Sequence, residues 1–227
     1  MISVSPPRSE AQLMERSMQI AGLTIGELAA RHGMSVPSNS TRAKGFAGQL
    51  VEMALGANAG SLPEPDFRLI GVELKTIPVS AQGKPMESTY VCTAELEHQR
   101  NPNWAHSVVC HKLTRVLWLP IVTSRGMAPA ERRIGMAILW SPSAVEHAQL
   151  RTDWEELVDL IVLGEVEQLS AHHGECLQIR PKAADSNARR WGINQHGVRI
   201  KTLPRGFYLR PSFTSTVLQG QYAGLSR

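Results

Sequence analysis

The sequence has no apolar run that approaches the roughly 20 residues a transmembrane helix requires. Its three cysteines are too few, too far apart and odd in number for a disulfide framework, and no CxxC pair suggests structural zinc. It has no GxxxxGK(S/T) phosphate-binding loop, so any coupling to ATP depends on a partner. The first residues, MISVSPPRSE, do not have the pattern of a secretory signal. We therefore expect a soluble, cytoplasmic protein that does not bind membranes.

The composition is typical of a folded globular protein. Hydrophobic residues make up 42% of the 227 residues and charged residues 19%, which excludes intrinsic disorder. The length suits one large domain or one domain split into two lobes. No sequence feature typical of a dimer interface is evident, so we expect a monomer.

Positive charge is concentrated near the C-terminal end. Residues 1–170 carry 15 basic and 18 acidic side chains, a net charge of −3, whereas residues 171–227 carry 9 basic and 2 acidic, a net charge of +7. Trp191, Phe207 and Tyr208 lie among the basic residues. A basic segment interleaved with aromatic residues is typical of a surface that binds nucleic acid, and an ordinary solvated surface is the alternative.

Apolar periodicity predicts an α/β fold with a mixed sheet, flanking helices and two lobes. The predicted helices are 9–32 with a break near Gly22, 46–58, 143–164 and a short one from Thr214 onward. The predicted strands are 67–79, 88–96, 113–122, 133–140, 175–180 and 198–209. The turn SAQGKP at 80–85 predicts that the first two strands form a hairpin.

The segment most informative about chemistry has six residues between Asp66 and the motif Glu73-Leu74-Lys75. Side chains alternate along a strand, so Glu73 and Lys75 lie on one face, and Asp66 can bend towards it from the strand's beginning. Two carboxylates form a hard-oxygen site for Mg²⁺, and a neighbouring lysine offsets charge on a phosphate. The pattern predicts metal-assisted phosphodiester hydrolysis, with Glu52 as a further acid. A surface Glu-x-Lys pair and an ordinary Pro-Asp turn are the alternatives.

Several blocks of the sequence resemble, in order, those of the MutH family of methyl-directed DNA mismatch-repair endonucleases. The family's catalytic segment is matched by GANAGSLPEPDFRLIGVELKTIPV at 56–79. The other matching blocks are KGFAGQLVEMALG (44–56), HKLTRVLWLP (111–120), RRIG…LWSP (132–142), DWEELVDLIVLG (153–164), LQIRPKAA (177–184) and TLPRGFYLR (202–210). The similarity runs over nearly the whole chain, although the stretch 185–197 matches poorly.

The resemblance implies a restriction-endonuclease-like fold with two arms around a DNA-binding cleft. Residues from 1 to about 105 form the catalytic arm, and residues from about 106 to 227 form a basic arm for DNA recognition and partner binding. The implied activity is a Mg²⁺-dependent nick, with Mn²⁺ as a substitute, 5′ to the G of GATC on the unmethylated strand of a hemimethylated site. The implied protein partner is MutL, itself recruited by mismatch-bound MutS.

The resemblance also assigns roles to individual residues. The implied catalytic residues are Asp66, Glu73 and Lys75. The implied metal ligands are Asp66, Glu73, the backbone carbonyl of Leu74 and, as an accessory, Glu52. The implied DNA-binding residues are Lys44, Lys112, Arg180, Pro181, Lys182 and Tyr208.

Discrimination against a methylated site has a simple physical basis. Adenine presents an N6 amino donor in the major groove, and N6-methylation adds bulk there. We expect Tyr208 and the backbone of 180–182 to shape a pocket that rejects it, with a half-buried strand tyrosine and non-specific phosphate contacts as the alternatives. A restriction enzyme that cuts both strands and an inactive DNA-binding module are competing functions. The intact Asp66, Glu73 and Lys75 argue against the inactive module.

Overall fold

The structure, a computed structural model, describes residues 4–38, 45–60, 62–97, 102–170, 172–182 and 187–225. The chain divides into two units, each built from segments that are distant in sequence. The first unit comprises residues 1–87, 114–141 and 215–227, and the second comprises 88–113 and 142–214. No helix in the described ranges combines the length and hydropathy that a membrane span needs. The predicted functional division near residue 105 stays a prediction.

Capping side chains and glycines set the limits of the helices. Reciprocal capping boxes begin two of them, Thr24 with Glu27 and Ser143 with Glu146. Gly56, at φ 84°, ends the helix predicted over 46–58 at Leu55. The α-helices found in the described residues are α1 (Glu10–Ile20), α2 (Ile25–Arg31), α3 (Phe46–Leu55), α4 (Val108–Leu113), α5 (Ala144–Val162) and α6 (Pro211–Leu225).

The strands correspond to the predicted runs with four differences. The run 67–79 is a strand only from Glu73, 133–140 and 198–209 each divide into two strands, and one strand lies in the poorly matched stretch 185–197. The strands are β1 (Glu73–Val79), β2 (Thr89–Thr93), β3 (Val116–Val122), β4 (Arg133–Ile134), β5 (Ile138–Trp140), β6 (Leu177–Pro181), β7 (Arg190–Ile193), β8 (Arg199–Thr202) and β9 (Arg205–Leu209).

The sheet of the first unit is mixed. β1 runs parallel to β3 over its full length, and β4 and β5 are antiparallel to β3 on its other edge. α1, α2 and α3 contribute Leu13, Leu28 and Leu50 to a core that includes Leu74 and Leu117 from the sheet. These leucines are almost fully buried, so this helix-covered face supplies much of the unit's hydrophobic stabilisation. The predicted fold class, a mixed sheet with flanking helices, is confirmed.

The predicted hairpin between 67–79 and 88–96 is wrong. The turn does form, since the N–H of Met86 donates to the carbonyl of Pro78 at 3.0 Å. Beyond it the chain passes at Ser88 into the second unit, where β2 pairs antiparallel with β9. β1 takes β3 as its neighbour instead. Local residues determine that a turn forms here. Contacts between distant segments determine which strands pair.

The second unit contains the sheet β2-β9-β6 and the separate two-stranded ribbon β7-β8. Asp153 of α5 fastens the start of β6, because its buried carboxylate accepts the backbone N–H groups of Glu175 (3.0 Å), Cys176 (2.6 Å) and Leu177 (2.8 Å). Gln149 adds a side-chain donor at 2.8 Å. These hydrogen bonds satisfy the Asp153 carboxylate without water. They also fix the position of the strand that leads to Arg180.

Candidate active site and nucleic-acid interface

β1 presents Glu73 and Lys75 on one face, as the sequence predicts. Lys75 Nζ donates to Glu73 Oε1 at 2.6 Å. Glu73 is 2% exposed and Lys75 is 9% exposed, so this ion pair is almost fully removed from water. Hydrophobic side chains also bury the opposite face of the strand, where Leu74 lies in the core. The surface Glu-x-Lys alternative is therefore wrong, and a buried pair of this kind keeps its charges in fixed positions.

Asp66 is brought to the backbone of β1 by a turn that the sequence did not predict. The strand expected from residue 67 is replaced by a fold-back in which Phe67 and Val72 form an antiparallel bridge. Gly71, at φ 64°, provides the left-handed backbone conformation inside the turn. As a result the Asp66 carboxylate accepts the backbone N–H of Leu74 at 2.8 Å. Asp66 is thereby held at the residue that separates Glu73 from Lys75.

The oxygen atoms near the start of β1 suit a hard cation. Two carboxylates, those of Asp66 and Glu73, and the carbonyl of Leu74 belong to the same short stretch of chain. Glu52 is half-buried on α3, a helix that packs against β1. Among the residues that the structure describes, no three His, Cys, Asp or Glu side chains group closely enough to hold a metal by themselves. A cation here would need further ligands from water or substrate.

Of Lys44 and Lys112, two of the predicted DNA-binding residues, the structure describes one. Lys112 lies half-buried on α4 in the second unit, whereas Glu73 belongs to the first. Lys44 falls outside the described residues.

Arg180, Pro181 and Lys182 are brought together at the exposed end of β6. Arg180 Nη1 donates to the hydroxyl of Ser88 at 2.9 Å, which steadies its long side chain. The same hydroxyl accepts from the buried Gln178 at 2.9 Å. Two exposed basic side chains thus flank a rigid proline on a strand that the sheet holds in place.

Tyr208 lies beside these residues and packs against Tyr90, a residue that the sequence analysis did not single out. Tyr208 on β9 is paired with Tyr90 on β2, and their rings meet edge to face at 5.3 Å between centroids. Lys182 Nζ lies 3.2 Å from the centre of the Tyr90 ring, a close cation–π contact. Tyr90 was missed because the wrong hairpin placed its strand beside β1.

A side chain at position 206 would crowd this arrangement. A Cβ on Gly206 would lie 3.0 Å from Cε2 of Tyr90 and 3.1 Å from the carbonyl oxygen of Cys92. The aromatic ring therefore rests directly on the backbone of β9.

Some of the basic segment is structural. Arg205 is buried, its Nη1 donates to the carbonyl of Leu169 at 2.8 Å, and burial lowers the pKa of its guanidinium. Arg210 donates to the backbone carbonyls of Gly174 and His173 at 2.9 and 3.2 Å. A count of basic residues alone therefore overstates how much of this segment's positive charge is available to a polyanion.

Comparisons with known proteins show the family to which the chain belongs. The model of the family described as DNA mismatch repair enzyme MutH matches residues 55–153, a range that includes Asp66, Glu73 and Lys75. A protein of Yersinia enterocolitica named DNA mismatch repair protein MutH is 53% identical over 94% of both chains. Proteins of the same name from Shigella flexneri and Escherichia coli are 54% identical over 95% of this chain and 94% of theirs. Identity this high, over nearly the full length of each protein, shows that the chain belongs to the MutH family of DNA mismatch repair endonucleases.

Proposed function

We propose that the protein nicks DNA 5′ to the G of GATC, on the unmethylated strand of a hemimethylated site. The observation that carries this proposal is that the Asp66 carboxylate bonds the backbone of Leu74, the residue between the ion-paired Glu73 and Lys75. Two carboxylates and a lysine are the groups that metal-assisted phosphodiester hydrolysis uses. We further propose that the protein acts as a monomer. One such site in a monomer breaks one strand in each event.

The proposed cofactor is Mg²⁺, with Mn²⁺ able to replace it. Asp66, Glu73 and the Leu74 carbonyl would hold the ion, with Glu52 as an accessory ligand. Oxygen donors are the ligands Mg²⁺ prefers, and it commonly takes one or two protein carboxylates together with water and substrate phosphate. When bound, the ion supplies positive charge to the scissile phosphate and makes its water more acidic.

Lys75 acts through its fixed charge. Its ammonium group is held 2.6 Å from Glu73 and has little contact with solvent, so its field is weakly screened. In this position it donates to the attacking water or to a phosphate oxygen and offsets the negative charge that develops there. Lys112 is proposed as an additional contact to the DNA.

The second unit is proposed to read the site. Arg180 and Lys182 would donate to base edges or phosphates, with Pro181 restricting the backbone between them. Tyr208, supported by Tyr90, would form the wall that excludes an N6-methyl group from adenine. Lys44 is proposed to contact the same DNA.

The proposed setting is bacterial mismatch repair. Bacterial relatives carry the mismatch repair name, and bacterial chromosomal DNA lies in the cytoplasm. MutL, recruited by mismatch-bound MutS, is the proposed activating partner. The proposed arrangement is two arms, residues from 1 to about 105 and from about 106 to 227, on either side of the DNA.

Plasmid nicking tests the proposal. The protein and Mg²⁺ are incubated with supercoiled GATC plasmid that is unmethylated, hemimethylated or fully adenine-methylated. We expect nicked circles only where one strand at least is unmethylated, and loss of nicking when the metal is chelated. Linear DNA as the first product would instead indicate a restriction enzyme, and binding without cleavage an inactive module.

A pair of glutamate variants identifies the active residue in the same assay. Glu73→Ala should abolish nicking while DNA affinity stays within about twofold. Glu64→Gln is the matched control, because Glu64 is a partly exposed carboxylate of the same unit whose partner is Arg68. Retained turnover by Glu73→Ala would overturn the role assigned to Glu73.

A further inference from the structure

The ribbon formed by β7 and β8 has a cationic outer face. Trp191 lies directly opposite Lys201, and Arg199 lies two pairs further along, on the same face. The guanidinium carbon of Arg199 is 4.4 Å and Lys201 Nζ is 5.3 Å from the centre of the Trp191 ring. The tryptophan is 40% exposed. The indole therefore orders two cations on a surface that water can reach.

The inner face of the ribbon is anchored within the second unit. The N–H of Ile193 donates to the carbonyl of Leu96 at 3.0 Å, and the Thr202 hydroxyl donates to Glu167 at 2.6 Å. A Cβ on Gly192 would lie only 3.3 Å from the Leu96 backbone oxygen, so the two backbones approach closely. This anchoring leaves Trp191 and its two cations on the opposite face.

The ribbon begins next to the residues proposed to read GATC. It is inserted between β6 and β9, and at its base the N–H of Lys182 donates to the carbonyl of Pro204 at 2.7 Å. Each strand has four residues, which at about 3.4 Å per residue gives a length of about 13 Å, or about four base pairs of DNA. A duplex that contacts Lys182 therefore lies within reach of the ribbon on one flank.

The charge of the ribbon fits a phosphate backbone. Arg189, Arg190, Arg199 and Lys201 are all exposed. The acidic side chain paired with this face is Glu97, 2.7 Å from Arg199, and more than two fifths of each side chain in that pair is exposed. Such a pair contributes little, so Arg199 can exchange Glu97 for a phosphate at small cost. The ribbon lies outside the residues matched by the family model.

From these observations we infer that the Trp191–Arg199–Lys201 face binds the backbone of duplex DNA flanking the GATC site. The inference rests on the proposed function, because it takes the DNA to lie along Arg180 and Lys182. The contacts add affinity and salt dependence without reading sequence.

The test compares the salt dependence of binding to two hemimethylated GATC duplexes. One has 24 base pairs with the site at its centre, and the other has 12 base pairs and ends one base pair beyond the site on the flank that the ribbon faces. The double variant R199Q/K201Q removes two proposed phosphate contacts. Since each contact contributes about 0.9 to the slope of log K against log salt, the slope on the longer duplex should become shallower by about 1.8. The slope on the shorter duplex should not change. The control variant R31Q/R151Q removes the same charge from exposed positions on α2 and α5.

Three outcomes would overturn the inference. R199Q/K201Q could keep the wild-type slope on the longer duplex, it could change the slope equally on both duplexes, or R31Q/R151Q could change the slope as much as R199Q/K201Q does. A wild-type slope together with lost stimulation by MutL would assign the face to a protein partner instead of DNA. Nicking of the GATC plasmid is scored separately. Its absence in the wild-type protein would count against the proposed function, while the slopes still report on the ribbon.

Discussion

Asp66 and Leu74 are joined by a hydrogen bond of 2.8 Å from the Leu74 backbone N–H to the Asp66 carboxylate. The bond closes the turn before β1 and holds the carboxylate at the backbone of the residue between Glu73 and Lys75. It also means that Asp66 has a structural role besides the proposed metal ligation, and the two roles can be separated by substitution.

Asp66→Asn keeps an oxygen that accepts the Leu74 N–H but removes the charge. We expect nicking to fall by about 100-fold or more, because a charged metal ligand is lost, with a change in unfolding free energy below about 1 kcal/mol. Rates with hemimethylated plasmid and urea denaturation measure the two effects. Nicking at the wild-type rate would exclude Asp66 as a ligand.

Lys75→Met leaves Glu73 as a buried charge without its lysine. We expect the unfolding free energy to fall by about 3–5 kcal/mol, and the double variant Lys75→Met/Glu73→Gln to recover most of that loss. Neither protein should nick DNA. Urea denaturation at pH 7 compares them, and a single variant as stable as wild type would show that the pair is not desolvated in solution.

Asp153→Asn tests the anchor of β6. The N–H groups of Cys176 and Leu177 donate to one carboxylate oxygen and that of Glu175 donates to the other. An amide has one acceptor oxygen, so the donors on one side lose their acceptor. We expect a loss of about 2–3 kcal/mol in unfolding free energy. Asp159→Asn, at an exposed position of the same helix, should change it by less than about 0.5 kcal/mol. Equal losses of unfolding free energy in the two variants would show that Asp153 does not anchor β6.

Tyr90 is expected to position Lys182. Tyr90→Leu removes the ring beneath the ammonium and should weaken binding to a GATC duplex by about 2- to 30-fold, the range of a cation–π contact. Tyr90→Phe loses only the hydroxyl contact to Thr93 and should bind nearly as well as wild type. The measurement is fluorescence anisotropy at fixed salt. Equal weakening by both variants would point to the hydroxyl rather than the ring.

Glu10 and Arg115 give a pH-dependent contribution to stability. The hydrogen bonds from Arg115 hold the pKa of the Glu10 carboxyl below its ordinary value of 4.5. A lowered pKa in the folded state means that the stabilisation is complete above about pH 4.5 and is lost as pH falls through the lowered value. Since both side chains are partly exposed, Glu10→Gln should cost about 1 kcal/mol or less at pH 7. Urea denaturation at several pH values should show this difference shrinking below pH 4.5.

The shared face of Glu73 and Lys75 could be predicted from the sequence because its geometry is local. Alternation along a strand places Glu73 and Lys75 on one face whatever the rest of the fold does. The capping box at Thr24 is similarly local, since it depends on residues three apart. The resemblance to one family added the roles of residues that no local pattern explains, such as Pro181.

The sequence pattern could not predict which strands pair when they are distant along the chain. The parallel neighbour of β1 is β3, whose first residue follows β1 by 37 positions, and Tyr90 meets Tyr208 and Lys182 across more than 90 positions. A local turn signal could not reveal that β2 leaves β1 for the second unit. The sequence alone therefore determined which neighbouring side chains share a face of a strand and where capped helices begin. Only the tertiary structure decided how Asp66 folds back to β1, which aromatic ring supports Lys182, and which basic residues are buried as structural cations, because packing and hydrogen bonding between distant segments are collective properties of the folded chain.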